Sequence, residues 1–144
     1  MTQQNDLDLL ADLVARARTA GADAADAILT ESLSSGVSWR MGKPEDVERS
    51  ESRDVGLRVF VGQRQALTSS SDTSPAALAE LVERGIAMAR AVPEDRWCGL
   101  ADPELLGSAE EVARLTAELD LRDDAEPSTE ELIAMARAAE EAAM

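Results

Sequence analysis

Carboxylates supply most of the reactive groups in this sequence. They gather at Glu45-Asp46, at Asp102 with Glu104, and at Asp120, Asp123, Asp124 and Glu126. The last group has the close oxygen-ligand spacing that a hard cation such as calcium favours. It lacks the central Gly and the closing Glu that an EF-hand loop requires. No His occurs anywhere in the chain. That excludes His-ligated zinc, Ser-His-Asp and Cys-His catalysis within it, and leaves carboxylate chemistry open. Cys98, downstream of Pro93, is the single thiol and has no His to activate it. The run Ser69-Ser70-Ser71 lies in no G-x-S-x-G elbow. The glycines of VGLRVFVG are wrongly spaced for a dinucleotide loop and open no helix. Arg58, set in an apolar strand, has two readings. It meets a carboxylate of a substrate or partner, or, more simply, its stem lies on the sheet with its head in water.

Composition narrows the classes further. A chain of 144 residues suits one compact domain. Its apolar content of 44% is rich in Ala, with two Trp, one Phe and no Tyr, so little aromatic mass is available to grip a flat cofactor. The net charge is −15. A nucleic-acid binder must neutralise phosphates with Lys and Arg, so this balance argues against DNA and RNA, and equally against an anionic membrane surface. It favours solubility and a basic partner. One Cys makes no internal disulfide, and MTQQNDLDLL has neither the basic segment nor the apolar run of a secretory signal. No window approaches the roughly 18 apolar residues that span a bilayer. A cytoplasmic protein is the expectation.

The elements that must position these groups are read from periodicity. Leu7, Leu10, Val14 and Ala17, with Leu13 beside them, predict an amphipathic helix over 5–20, capped by Asn5 and ended by Gly21. Residues 24–33 predict a strand, Ser34-Ser35-Gly36 a turn, and Val37, Trp39 and Met41 a second strand. Residues 42–46 read as a loop. The polar run 47–52 extends a third strand at a sheet edge or beyond the core. Val55, Leu57, Val59 and Val61 line one face of that strand; Gly56, Arg58 and Phe60 line the other. Gly62-Gln63-Arg64 turns the chain into a fourth strand over 65–69. Ser74 then caps a helix over 75–92 with Pro75 at its first position. Its buried stripe is Leu78, Leu81, Val82, Gly85, Ile86 and Ala89, and a close contact with the sheet explains Gly85 in mid-helix.

Beyond Pro93 the chain turns acidic. Residues 93–108 predict an ordered connector anchored by Trp97 and Leu100, followed by a short helix over 110–119 with Val112 and Leu115 on one side. Residues 129–144 predict a last helix with a capping box of Ser128 and Glu131, and with Leu132, Met135, Ala136 and Ala139 on one face. Glu140 and Glu141 sit where the helix dipole disfavours anions. A helix that reaches Met144 without Gly, Pro or a basic last turn reads as cut from something longer. Its Ala-rich face buries little area, so order over 128–144 is expected to need a covering chain.

The run from Ser50 to Leu106 is similar to the N-terminal domain of the PmbA/TldD family. DVGLRVFVG, the S-P-x-x-L helix start at Ser74, and P-E-D-x-x-x-G-L-A-D-P from Pro93 carry the resemblance. So does LDLRDDAEPSTEELIAMARAAEEAA from Leu119. The connector and the L-D-x-x-D segment favour the PmbA branch, also called TldE. Arg122 departs from a usual aromatic, and Ala66-Leu67 from a Gly-containing hairpin return. The resemblance implies one part of a longer protein, a metallopeptidase-related "modulator of DNA gyrase". In such a family a TldD-type subunit carries a His-Glu-x-x-x-His metal motif, and the PmbA-type subunit lacks it and pairs with TldD. The complex processes peptides, microcin-type precursors among them. No catalytic, cofactor-binding or metal residue transfers to this chain, and zinc is expected only in a TldD-type partner.

The expected fold is α+β: an antiparallel four-stranded sheet with two helices on one face. Residues 1–100 would form that domain, 101–127 an acidic connector, and 128–144 the start of a linking helix. The expected function is a non-catalytic domain handling a peptide substrate and a TldD-type partner or a second copy. The strand edge at 47–53 would do the pairing, with Arg49, Ser52 and Arg58 as possible interface residues. A free-standing acidic interaction module and a gyrase modulator are the alternatives.

Overall fold

A computed structural model describes residues 3–121 and 125–144. Helix α1 spans Gln3–Thr19, strands β1, β2 and β3 span Ala24–Arg40, Lys43–Val61 and Arg64–Ser70, and α2 spans Pro75–Ala91. A 3-10 turn at Pro103–Leu105 precedes α3, Ala109–Leu119, and α4, Thr129–Ala143. The class is α+β, but the sheet has three strands in the order β1-β2-β3. The expected turn at Ser34-Ser35-Gly36 does not form; β1 runs straight through it. The chain reverses instead at Met41 and Gly42, whose φ values of 51° and 77° are those of a primed hairpin turn. The expected loop over 42–46 is therefore strand from Lys43 onward, and two short strands merge into one. Gly and Ser permit a turn without requiring one; the turn sits where the backbone is actually left-handed.

Two compact units emerge. One comprises Met1–Ser32 and Ser52–Leu100; the other comprises Leu33–Glu51 and Ala101–Met144.

The first unit holds the core. Val55, Leu57 and Val59 point inward from β2 and meet Leu78, Leu81, Val82, Ile86 and Ala89 of α2 and Leu13 and Ala17 of α1. The α2 stripe is buried as its spacing predicts, and the Ser74 hydroxyl accepts from the Ala77 amide at the cap. Gly85 faces the sheet: an added Cβ would stand 3.3 Å from Thr68 Oγ1 and 3.4 Å from a Val59 methyl. The α1 stripe is rotated from expectation. Leu13 and Ala17 are its buried centre, and Leu7 lies outside it at 62% exposure. The helix also begins before Asn5, so Asn5 is not its cap. Gly21, at φ 108°, ends it with two bonds of a Schellman motif: Gly21 N–H to Arg18 C=O, and Ala22 N–H to Ala17 C=O. β2 and β3 pair from Val61↔Arg64 to Val55↔Ser70. The connector after α2 is held by the Asp95 amide, which donates to Gln63 C=O at 2.7 Å, and not by Trp97, which is 80% exposed, nor by exposed Leu100.

The second unit has no buried residue among those described. Val37 and Trp39 of β1 and Leu132, Ile133 and Ala136 of α4 are its half-buried apolar groups. Met135 and Ala139, expected on the inner face of α4, are exposed; Glu140 shares the half-buried side with Leu132 and Ala136. Ser108 caps α3, and Ser128 with Glu131 forms the predicted capping box on α4.

Candidate functional site

Three places gather polar groups. The first is a strand edge. β3 covers β2 only from Val55 to Val61, so no described strand pairs the second edge of β2 from Lys43 to Asp54. No backbone hydrogen bond from outside the sheet reaches that stretch among the described residues. It carries Glu45, Asp46, Glu48, Arg49, Glu51, Arg53 and Asp54, a charge density that blunts indiscriminate edge-to-edge pairing. Arg49 donates Nε and a terminal nitrogen to Glu51 Oε1 at 3.1 and 3.0 Å, fully at the surface. Ser52 is exposed. Arg53 is the interior exception. It donates to Asp6 Oδ1 of α1 at 2.5 Å and to Glu31 Oε1 of β1 at 2.6 Å, leaving its buried Nε without a partner among the described residues. The hydrogen bond to Asp6 is the main reason its pKa is raised.

The second place is the sheet surface around Arg58. Its guanidinium makes a two-pronged pair with Asp26 of β1, Nε to Oδ1 at 3.0 Å and a terminal nitrogen to Oδ2, and lies 5.2 Å from the centre of the Phe60 ring. The pair raises the arginine pKa, chiefly through that hydrogen bond. Arg58 thus meets a carboxylate of its own chain. Asp26, Ala27, Ile28, Gly56 and Leu67 line a shallow depression beside it.

The third place is the turn between β1 and β2, which sequence reasoning missed. The Trp39 indole Nε1 donates to Glu140 Oε2 at 3.0 Å. The Met41 amide donates to Oε1 at 2.6 Å, and the Gly42 amide to Oε2 at 2.9 Å. One carboxylate therefore receives three hydrogen bonds.

The three expected interface residues fall in both units. Arg49 belongs to the second unit, and Ser52 and Arg58 to the first. No group of three or more Cys, Asp or Glu among the described residues stands close enough to hold a metal ion. The Asp120–Glu126 cluster falls partly outside the described residues, as does Arg122. Among the described residues no helix is long and apolar enough to cross a membrane.

Residues 25–89 match the family model described as PmbA/TldA metallopeptidase domain 1. A relative from Escherichia coli O157:H7, "Metalloprotease PmbA", is 35% identical over 122 residues, covering 85% of this chain. The chain carries the first domain of the PmbA/TldD family. A "Metalloprotease PmbA homolog" of Haemophilus influenzae is 29% identical over 104 residues, covering 72% of this chain. The chain spans about a quarter of these relatives, 26% and 23% of their lengths. Two solved structures share the PmbA/TldD fold. One is a Bacteroides thetaiotaomicron protein described as a candidate modulator of DNA gyrase, with TM-score 0.64, 23% identity, 72% of this chain covered and 23% of that one. The other is TldE from Thermococcus kodakarensis, with TM-score 0.61, 16% identity, and coverages of 85% and 24%.

Proposed function

We propose that this PmbA/TldD first domain is a non-catalytic handling element of a PmbA-type subunit within a peptide-processing metallopeptidase complex. It offers the open edge of β2 near residues 47–53 to an extended peptide or to a strand of a TldD-type partner. The observation that carries the reading is the length of β2 beyond β3: among the described residues, no strand lies against one side of its backbone from Lys43 to Asp54. An added strand pairs along that side, and strand addition is a general way for a sheet to hold an extended chain. No His occurs in these 144 residues, so this part of the protein offers no His ligand for a catalytic metal.

The test is a pull-down of the tagged chain against a TldD-type subunit, followed by size-exclusion chromatography. Proline at Arg49 or Ser52 removes one backbone donor each and is expected to weaken co-elution. Ser35→Pro, on the opposite edge of the same ribbon, is the control. Unchanged complex formation by the β2 variants with loss in Ser35→Pro would move the docking edge to β1. Unchanged formation by all three would remove strand addition altogether.

The net charge of −15 supports a second reading, an acidic module for a basic protein surface. Its mark is co-elution that disappears with added salt while the proline variants still bind. Direct DNA binding has no comparable support, and a filter-binding titration showing tight, salt-sensitive retention would be needed to restore it.

A further inference from the structure

The turn joining β1 to β2 is built like an anion receptor. Met41 and Gly42 both have left-handed φ, and Met41 is one of two described non-Gly residues that do so. A bulky side chain in that region is uncommon, and successive amides held in such a turn point their N–H groups into one concavity. The Trp39 indole adds a third donor from the same side. All three end on the two oxygens of Glu140, at 2.6, 2.9 and 3.0 Å. Charge-assisted bonds to a carboxylate from several aligned donors are among the strongest neutral-donor contacts a protein makes. Lys43, the next residue, forms no ion pair with a described residue and adds a cation beside the turn. Lys43 is also where the open edge of β2 begins.

We infer that the Trp39–Gly42 turn is a carboxylate receptor filled by Glu140 from within the chain, and that its ligand in trans is the terminal carboxylate of a peptide lying along β2. This rests on the strand-edge reading above for the peptide, and on the turn alone for the carboxylate. Glu140 then acts as a built-in competitor: its carboxylate must leave before another enters.

Trp39 reports the site. Two indole N–H signals are expected from the two tryptophans, and Trp97→Phe, at an exposed ring, assigns them. Glu140→Ala should displace the Trp39 signal, and millimolar acetate should return it toward its wild-type position while equal chloride does not. Glu140→Gln, which keeps the side-chain size, should displace the signal too, since an amide can place only one oxygen against three donors. Methyl signals of Leu57 and Leu81 monitor folding in each variant.

A five-residue alanine-valine peptide with a free C-terminus should then bind Glu140→Ala at least several-fold more tightly than it binds the wild-type chain, and more tightly than its C-terminal amide does. A Trp39 signal unmoved by either variant, or one that acetate leaves displaced, would overturn the receptor. Equal binding of acid and amide would overturn the terminal-carboxylate assignment while keeping the strand edge. Acetate rescue with no binding of either peptide would retire both the peptide ligand and the strand-edge reading.

Discussion

The two compact units are held by different forces. In the unit containing α1, α2 and the inner ends of the strands, thirteen apolar residues fall below one-tenth exposure, and the helices close over one face of the sheet. In the unit containing the hairpin turn, α3 and α4, no described residue is buried, and Leu105, Leu106, Val112, Leu119 and Leu121 remain exposed. Order there comes from the local hydrogen bonds of helix caps, from half-buried Trp39 and Leu132, and from Glu140. Apolar burial stabilises roughly in proportion to area, whereas a net hydrogen bond contributes only about 0.5–1.5 kcal/mol. The first unit thus fixes a shape, and the second holds polar groups in place with little apolar burial.

Mutations can break that contrast, beginning where the loss is greatest. Leu57→Ala and Leu81→Ala each remove a fully buried side chain from the first unit and should cost about 2–5 kcal/mol in urea unfolding. The matched change Leu119→Ala, at an exposed position in α3, should fall within about 0.5 kcal/mol. A comparable loss at Leu119 would show that α3 is covered in solution and erase the distinction. Gly85→Val should cost about 1–3 kcal/mol, because even its Cβ crowds Thr68 and Val59 across the helix–sheet contact.

The second unit should respond to its caps. Ser128→Ala removes the acceptor for the Glu131 amide and should cost about 1 kcal/mol, seen as faster amide exchange in α4 with little change in α2. The Glu131 carboxyl is held below its ordinary pKa, first by the Ser128 backbone amide and then by its hydroxyl. A carboxyl whose folded value is depressed contributes stability that is complete above its unfolded value and is lost as pH falls through the folded one. Protection factors at the start of α4, taken relative to the slower intrinsic exchange at low pH, should therefore fall below the ordinary Glu value of 4.5, and Ser128→Ala should flatten that dependence. Smallest of all, Arg114→Ala breaks an exposed i,i+4 pair with Glu118 and should change stability by no more than about 0.5 kcal/mol, less still in high salt.

What could be read from the sequence follows the same division. The α2 stripe, its Ser74 cap and the contact behind Gly85 were legible because a closely packed face imposes helical spacing on its residues. The hairpin at Gly62 was legible because alternation on both sides brackets it. The outer ribbon was not. With neither face buried, β1 is exposed at every residue from Thr30 to Gly36, and Ser34-Ser35-Gly36 has turn composition without turn geometry. The strand edge at 47–53 was visible as a polar run. The carboxylate seat was invisible, because Met41 and Glu140 are 99 residues apart and Glu140 alone looks like a misplaced anion at a helix end. Its only sequence signal was that misfit with the dipole.

The tight register from Val61↔Arg64 to Val55↔Ser70, with α2 starting a few residues after β3 and packing against it, has a consequence for the order of assembly. β2, β3 and α2 are neighbours in sequence as well as in space, so they can meet by closing short loops, whereas α1 must be recruited across the whole length of β1. The hairpin and α2 are therefore expected to form the folding nucleus, with α1 docking late. Truncations at Val59 and Leu81 should then slow folding, while Leu13→Ala should chiefly hasten unfolding, which chevron kinetics would separate.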